Sequence, residues 1–236
     1  MKITDKKAEE MTARELAAYI DYAVLKPDLT PDEIIELAKE GTELGCATIC
    51  INPGYLEMLE PIVKGTDTGL CPVTDFPFGT STTESKAVQV EIVSKFETVK
   101  EVDVVANFGM IRQGMYKEVT ADIKACADAA HRYGKELKVI FETDTLTREQ
   151  IVEACKCAVE AGADYVKTST GFLTGYNGVG AAPETVKLML DTVGDRCKVK
   201  GSGGIRTYER LCELVNMGVD RVGVGYSSVR KVIGLD

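Results

Sequence analysis

Three residues combine a charge with a setting that water should not reach: Asp103 in "EVDVVANFG", Lys167 in "GADYVKTSTGF" and Lys200 in "KVKGSGGIRT". Each lies in a short apolar run that reads as a buried β-strand. An ammonium group is strongly hydrated and costly to desolvate, so a strand lysine either escapes to solvent or serves chemistry. The chemistry open to it is nucleophilic: a neutral lysine amine adds to a carbonyl carbon and forms a Schiff base. That reaction also needs proton shuttling, and a strand aspartate facing the same interior can exchange protons through water. The alternative for the trio is a buried salt-bridge cluster that joins strands.

Lys167 and Lys200 fall on consecutive predicted strands. Adjacent strands lie about 4.8 Å apart, which brings the two ammonium groups to roughly 6 Å. At an effective dielectric near 20 they would repel by about 2.8 kcal/mol, which favours one amine in its neutral form. Lys198 lies on the same strand face as Lys200 and is the alternative neighbour for Lys167.

The elements that must hold these residues repeat. "ELGCATICIN", "EAGADYVKTS" and "NMGVDRVGVG" each show a helix end, a glycine suited to a left-handed cap, a short link and a strand. Candidate strands run over residues 20–25, 47–52, 70–76, 102–108, 137–142, 165–169, 198–202 and 221–226. Amphipathic helices lie between them. Thr30-Pro31-Asp32-Glu33 supplies an N-cap, a proline in the first turn and a capping-box glutamate. Ser81 with Glu84 and Thr147 with Gln150 repeat the box spacing, and Thr207 can cap the helix after strand seven. Eight strands alternating with helices predict an α/β chain folded as a single (β/α)8 TIM barrel over 1–236, with an extra N-terminal helix over 9–19. Barrel enzymes place their chemistry at the C-terminal strand ends. The polar residues there are Asp21, Asn52, Asp75, Asp103, Asn107, Glu142, Asp144, Lys167, Ser169, Lys200 and Ser202.

"GSGGIRT" (201–207) and "GVGYSSV" (223–229) follow strands seven and eight, where barrels often bind phosphate through backbone amides and a helix N-terminus. Gly203 and Gly204 allow close backbone approach, while Ser227 and Ser228 offer hydroxyl donors. A net charge of −9 argues against nucleic acid as a partner but leaves room for a small anion held locally. No apolar run approaches membrane-spanning length, and the polar start "MKITDKKAEEMTAREL" lacks a secretory core, so the expected location is cytoplasmic. The eight cysteines are scattered, form no CxxC pair, and read as reduced buried thiols. One histidine, His131, is too few for a histidine-based metal site, and no metal or cofactor is expected.

"VDVVANFG", "YVKTSTGF" and "KVKGSGGIRT", in this order and spacing, resemble the 2-deoxy-D-ribose-5-phosphate aldolase family. "IDYAVLKPDLT", "TICINPGYL" and "DFPFGTSTTESK" extend the likeness over nearly the whole chain. The resemblance implies a class I, metal-free aldolase on a (β/α)8 barrel. Such an enzyme reversibly cleaves deoxyribose 5-phosphate to glyceraldehyde 3-phosphate and acetaldehyde, in deoxyribonucleotide breakdown. By position it implies Lys167 as the Schiff-base lysine, Lys200 as the neighbour that favours its neutral form, and Asp103 as proton relay. It also implies a phosphate site from Gly171, Gly203, Gly204, Arg206, Gly225, Ser227 and Ser228, with Cys50 close to the reacting centre and Asp21 in support. The expected assembly is a homodimer or homotetramer. Departures are Asp21-Tyr22-Ala23 where the family usually has Asp-His-Thr, Asp144-Thr145 in "FETDTLT", and Tyr226 where a small residue is typical. They leave open a different phosphorylated substrate. Readings outside this family are an isomerase or lyase that pairs the phosphate loops with carboxylate chemistry, and a non-catalytic phosphosugar-binding barrel.

Overall fold

The computed structural model describes residues 6–173 and 175–236. Eight parallel strands pair in sequence order and close on themselves: β1 (Ile20–Val24), β2 (Thr48–Ile51), β3 (Gly69–Thr74), β4 (Glu101–Val105), β5 (Glu136–Ile140), β6 (Tyr165–Lys167), β7 (Lys198–Ser202) and β8 (Arg221–Gly225). The helices are α1 (Ala13–Ala17), α2 (Pro31–Leu44), α3 (Leu56–Val63), α4 (Thr83–Ser94), α5 (Phe108–Gln113), α6 (Tyr116–His131), α7 (Arg148–Ala161), α8 (Pro183–Val193), α9 (Tyr208–Met217) and α10 (Val229–Val232). This is the expected (β/α)8 TIM barrel. No helix among the described residues is long and apolar enough to cross a membrane.

Local chemistry explains most boundaries. Thr30 and Thr147 accept from the backbone amides of Glu33 and Gln150, whose side chains bond back, closing both predicted capping boxes. Gly45, Gly162 and Gly218 take the left-handed conformation at the ends of α2, α7 and α9, where a Cβ would be strained. Two expectations need correction. The N-terminal helix covers only Ala13–Ala17, because Thr12 caps it by accepting from Glu15 N; a short 3-10 turn, Ala8–Glu10, precedes it. The cap of α4 is Thr82, not Ser81. Ser81 instead binds the carboxylate of Asp75 through its amide (3.0 Å) and hydroxyl (2.6 Å).

Strand alternation then sorts the side chains. In β5, Leu137, Val139 and the following Phe141 join the core between barrel and helices, which leaves Glu136, Lys138 and Ile140 facing the barrel interior. Each apolar side chain buried in that outer layer is worth about 2 kcal/mol, so reversing the alternation is not an option for the chain. A small separate cluster of Leu25, Cys50, Cys71 and Val73, with Ala23 and Phe76 against it, fills the β1–β3 side of the interior. The opposite side is ionic.

Candidate active site

Asp103 is the hub of the interior. Its Oδ2 accepts from Lys167 Nζ at 2.6 Å and Lys200 Nζ at 2.8 Å; its Oδ1 accepts from Lys138 Nζ at 3.0 Å and the Cys71 thiol at 3.2 Å. The strand register accounts for the convergence, since Asp103 is level with Lys138 across β4–β5 and Lys167 with Lys200 across β6–β7. Lys200 also pairs with Asp21. Lys138 reaches Glu101 at 2.6 Å and Asp21 at 3.2 Å, and Arg221 closes the network on Glu101 at 2.5 Å and Asp21 at 3.3 Å. Lys167 has Asp103 as its one carboxylate partner among the described residues.

These contacts set the charge states. Burial pushes the Asp103 carboxyl up, but Lys138, Lys167 and Lys200 overcome it and hold it well below the usual range. Asp21 is likewise held down by Lys138, Lys200 and Arg221 against its burial. Lys200, opposed by burial, is raised by Asp103 and Asp21, and Lys138 is raised by Asp103 and Asp21 with Glu101 and Cys71. Both are therefore held as ammonium ions.

The expected bare repulsion between two lysines is thus incomplete: a shared carboxylate lies between them and offsets it. Sequence reasoning missed Lys138, Glu101 and Arg221. The signal for Lys138 was available in "ELKVIFE", where three alternate apolar residues commit it to the interior. Lys198 is not the neighbour of Lys167. It pairs with Glu136 at 2.5 Å and lies 4.7 Å from the centre of the Tyr165 ring.

Above this floor opens a cavity of about 320 Å³. Lys167, Lys200, Asp21 and Cys50 line its depth. Gly171, Gly203, Gly204 and Arg206 line one part of its mouth, and Gly225, Ser227 and Ser228 another. Every expected site residue therefore borders the cavity except Asp103, which lies fully buried beneath Lys167. The hydroxyls of Ser169 and Ser202 are buried without a hydrogen-bond partner; Ser202 lines the cavity, and Ser169 stands behind Gly203.

Other strand-end residues serve as scaffolding. Asn52 donates to Leu25 O, Asn107 caps α5, and Glu142 accepts from the amide and hydroxyl of Thr170. Asp144 accepts from Val179 N (3.2 Å) and Gly180 N (2.9 Å). Gly180 sits so close to Gly203 that a Cβ would meet its carbonyl carbon at 2.5 Å, and Ala181 N donates to Gly203 O. Asp144 thereby props the Gly203–Gly204 loop from behind. Tyr22 turns away from the cavity and donates to Glu40 at 2.6 Å, so it cannot stand in for a cavity histidine. The next residue, Ala23, does line the cavity.

Cys50, Cys71 and Asp103, and likewise Asp21, Cys71 and Glu101, bring potential metal ligands within 4.8 Å of one another. In both groups the carboxylates are already engaged by lysine ammonium ions, which would repel a cation. The donor set fits an ion-pair network rather than a metal centre.

The geometry agrees with comparisons to known proteins. Residues 8–233 match the model of the DeoC/LacD family of aldolases. A deoxyribose-phosphate aldolase of Clostridium kluyveri is 42% identical over 219 residues, covering 92% of this chain and 97% of that protein. One of Staphylococcus saprophyticus is 42% identical over 93% of this chain and 96% of its own. Among solved structures, a putative deoxyribose-phosphate aldolase from Coccidioides immitis superposes with a TM-score of 0.85 at 36% identity, covering 94% of this chain and 86% of that one. The tetrameric aldolase from Aeropyrum pernix gives 0.83 at 29% identity, over 94% and 91%. With a lysine on β6 at the floor of a barrel cavity and likeness running almost end to end, this chain belongs to the DeoC/LacD aldolase family.

Proposed function

We propose that the chain is a class I aldolase that reversibly cleaves 2-deoxy-D-ribose 5-phosphate to D-glyceraldehyde 3-phosphate and acetaldehyde. The observation that carries this reading is the asymmetry of the lysines. Lys138 and Lys200 are tied to several carboxylates, whereas Lys167 has one and borders the cavity.

The neutral Lys167 amine adds to the aldehyde carbon of the open-chain sugar, and loss of water leaves an iminium ion. The iminium withdraws electrons from the C2–C3 bond. As the C3 hydroxyl loses its proton, that bond breaks to glyceraldehyde 3-phosphate and an enamine on Lys167. The enamine carbon takes a proton, and water releases acetaldehyde and the free amine. Asp103, beside the reacting nitrogen, relays protons through water and balances the positive iminium. Lys200 keeps a fixed positive charge near Lys167, which favours the neutral amine before attack. The phosphate is held at the mouth by the backbone of Gly171, Gly203, Gly204 and Gly225, by Ser227 and Ser228, and by Arg206.

The reading extends to a cytoplasmic homo-oligomer; the Aeropyrum pernix relative is tetrameric, and light scattering on the purified chain tests this. The central test is trapping. Acetaldehyde with borohydride should leave an ethyl group on Lys167 at near-stoichiometric yield and abolish cleavage of deoxyribose 5-phosphate, with Lys167→Ala as control. A label spread over surface lysines, with Lys167 unmodified, would refute the mechanism.

A further inference from the structure

The mouth of the cavity carries a cation outside the set expected to bind phosphate. Lys26 follows β1 and lines the cavity with Arg206, Ser227 and Ser228. Its Nζ lies 5.6 Å from the ring centre of Tyr226, within the range in which the negative face of an aromatic ring attracts an ammonium ion. The register explains the meeting: Ala23 of β1 is level with Gly225 of β8, so the residues that follow both strands emerge side by side.

Charge makes this pair consequential. Apart from Arg206, the loops after β7 and β8 offer a phosphate neutral donors, namely amides and hydroxyls. Of the cations lining the cavity, Lys167 and Lys200 are engaged with Asp103 at its floor. That leaves Arg206 on the β7 side and Lys26 on the β1 side, with the Ser227–Ser228 loop between them. Among the described residues neither has a carboxylate within ion-pairing distance. The whole chain carries a net charge of −9, so an incoming dianion is repelled until it meets local positive charge.

We propose that Lys26, held against the face of Tyr226, is the second cation of the phosphate end and makes this mouth select a doubly charged phosphate monoester. Lys26 contacts the phosphate; Tyr226 is a positioning residue. The substrate in question rests on the aldolase reading, but the phosphate chemistry does not, and the two are tested separately.

Glycerol 3-phosphate serves as a probe that binds without turnover, measured by calorimetry on the full chain. Lys26→Met should weaken it about tenfold, the effect of losing one close charge partner, while Lys26→Arg stays near wild type. Tyr226→Leu should weaken it about threefold and Tyr226→Phe should not, because phenylalanine keeps the ring face. Wild-type affinity should rise through pH about 6, where a phosphate monoester gains its second charge, and rise less in Lys26→Met. In turnover, Lys26→Met should raise KM for deoxyribose 5-phosphate, leave kcat unchanged and leave free deoxyribose unaffected. Wild-type affinity for glycerol 3-phosphate in Lys26→Met, or no binding by the wild type, overturns the proposal. Binding that follows this pattern in a chain that cleaves no sugar phosphate would support it and sink the aldolase reading instead.

Discussion

Replacing Lys138 with methionine isolates the ion network from the chemistry above it, because Lys138 is fully buried and does not line the cavity. Methionine matches its length and removes three ion pairs, to Glu101 at 2.6 Å, Asp103 at 3.0 Å and Asp21 at 3.2 Å, together with a contact to Cys71 Sγ at 3.0 Å. Breaking a buried ion pair by removing one partner costs about 3–5 kcal/mol. Here the three carboxylates keep Lys167, Lys200 and Arg221, so the lower end applies, about 3 kcal/mol. For 236 residues the unfolding entropy is about 0.5 kcal/mol per kelvin, and the expected loss is about 6 °C in Tm.

The pH dependence separates this cause from a packing defect. Asp21, Glu101 and Asp103 are each pushed up by burial but brought below their usual values by the cations, Lys138 first among them. A carboxyl with a depressed folded value contributes stability that is present above its unfolded value, about 4, and lost as pH falls through the folded value. Lys138 itself is raised, so its contribution is complete below about 10.4 and lost only as pH rises beyond that. The gap between wild type and Lys138→Met should therefore be flat from about pH 5 to 9 and narrow below about pH 4. Thermal melts by circular dichroism across that range measure it. A gap that persists unchanged into acid, or one under about 2 °C at neutral pH, would show that Lys138 contributes volume rather than charge.

Three further outcomes follow from the same contacts. Lys167 and Lys200 share one oxygen of Asp103 at 2.6 and 2.8 Å, and at about 5 Å and an effective dielectric of 20 their repulsion is about 3 kcal/mol. Asp103 offsets part of that repulsion, so Lys200→Met should lower kcat at pH 7 by about tenfold rather than the hundredfold of the bare figure; an unchanged rate would make Lys200 structural. Cleavage should survive exhaustive treatment with EDTA, because lysine cations occupy the carboxylates that a metal would need, and loss restored by zinc would exclude the Schiff-base route. In the native chain, iodoacetamide should label Cys50 first: it lines the cavity, and the hydrogen bond with Cys71 lowers its thiol, whereas burial pushes Cys46, Cys126 and Cys197 up to about 12. Even labelling of the eight thiols would contradict this.

The barrel was legible because its signals are local. The glycines that end α2, α7 and α9 and the threonines that start them act within one turn, so strands such as β7 and caps such as Thr30 and Thr147 follow from a few neighbouring residues. Lys167 and Lys200 were legible for a related reason, as charges inside apolar runs. What escaped depends on distant partners. Ser81 with Glu84 fits a capping box and Thr82 with Ser85 does not, yet Thr82 caps α4, because the carboxylate of Asp75 takes Ser81. The lysine–lysine repulsion was overdrawn because Asp103 is placed between them by closure of the sheet, not by anything within either lysine's strand. Lys138 was less legible because it sits in mid-strand, and only closure of the sheet brings it level with Asp103.

That shared layer explains how a barrel interior can hold so much charge. Its β1–β3 side is filled by Leu25, Cys50, Cys71 and Val73 in the usual apolar manner. On the other side four cations face three carboxylates. With every group charged, the cluster carries one positive charge too many for a dry interior. Of its lysines, Lys167 combines a single carboxylate partner among the described residues with an open path to the cavity. In the proposed reaction the iminium forms on that lysine, so positive charge sits where cleavage needs an electron-poor centre. On this reading the ion network does more than join strands: by tying Lys138, Lys200 and Arg221 each to two or more carboxylates, it leaves Lys167 as the cation of the four most open to a carbonyl substrate.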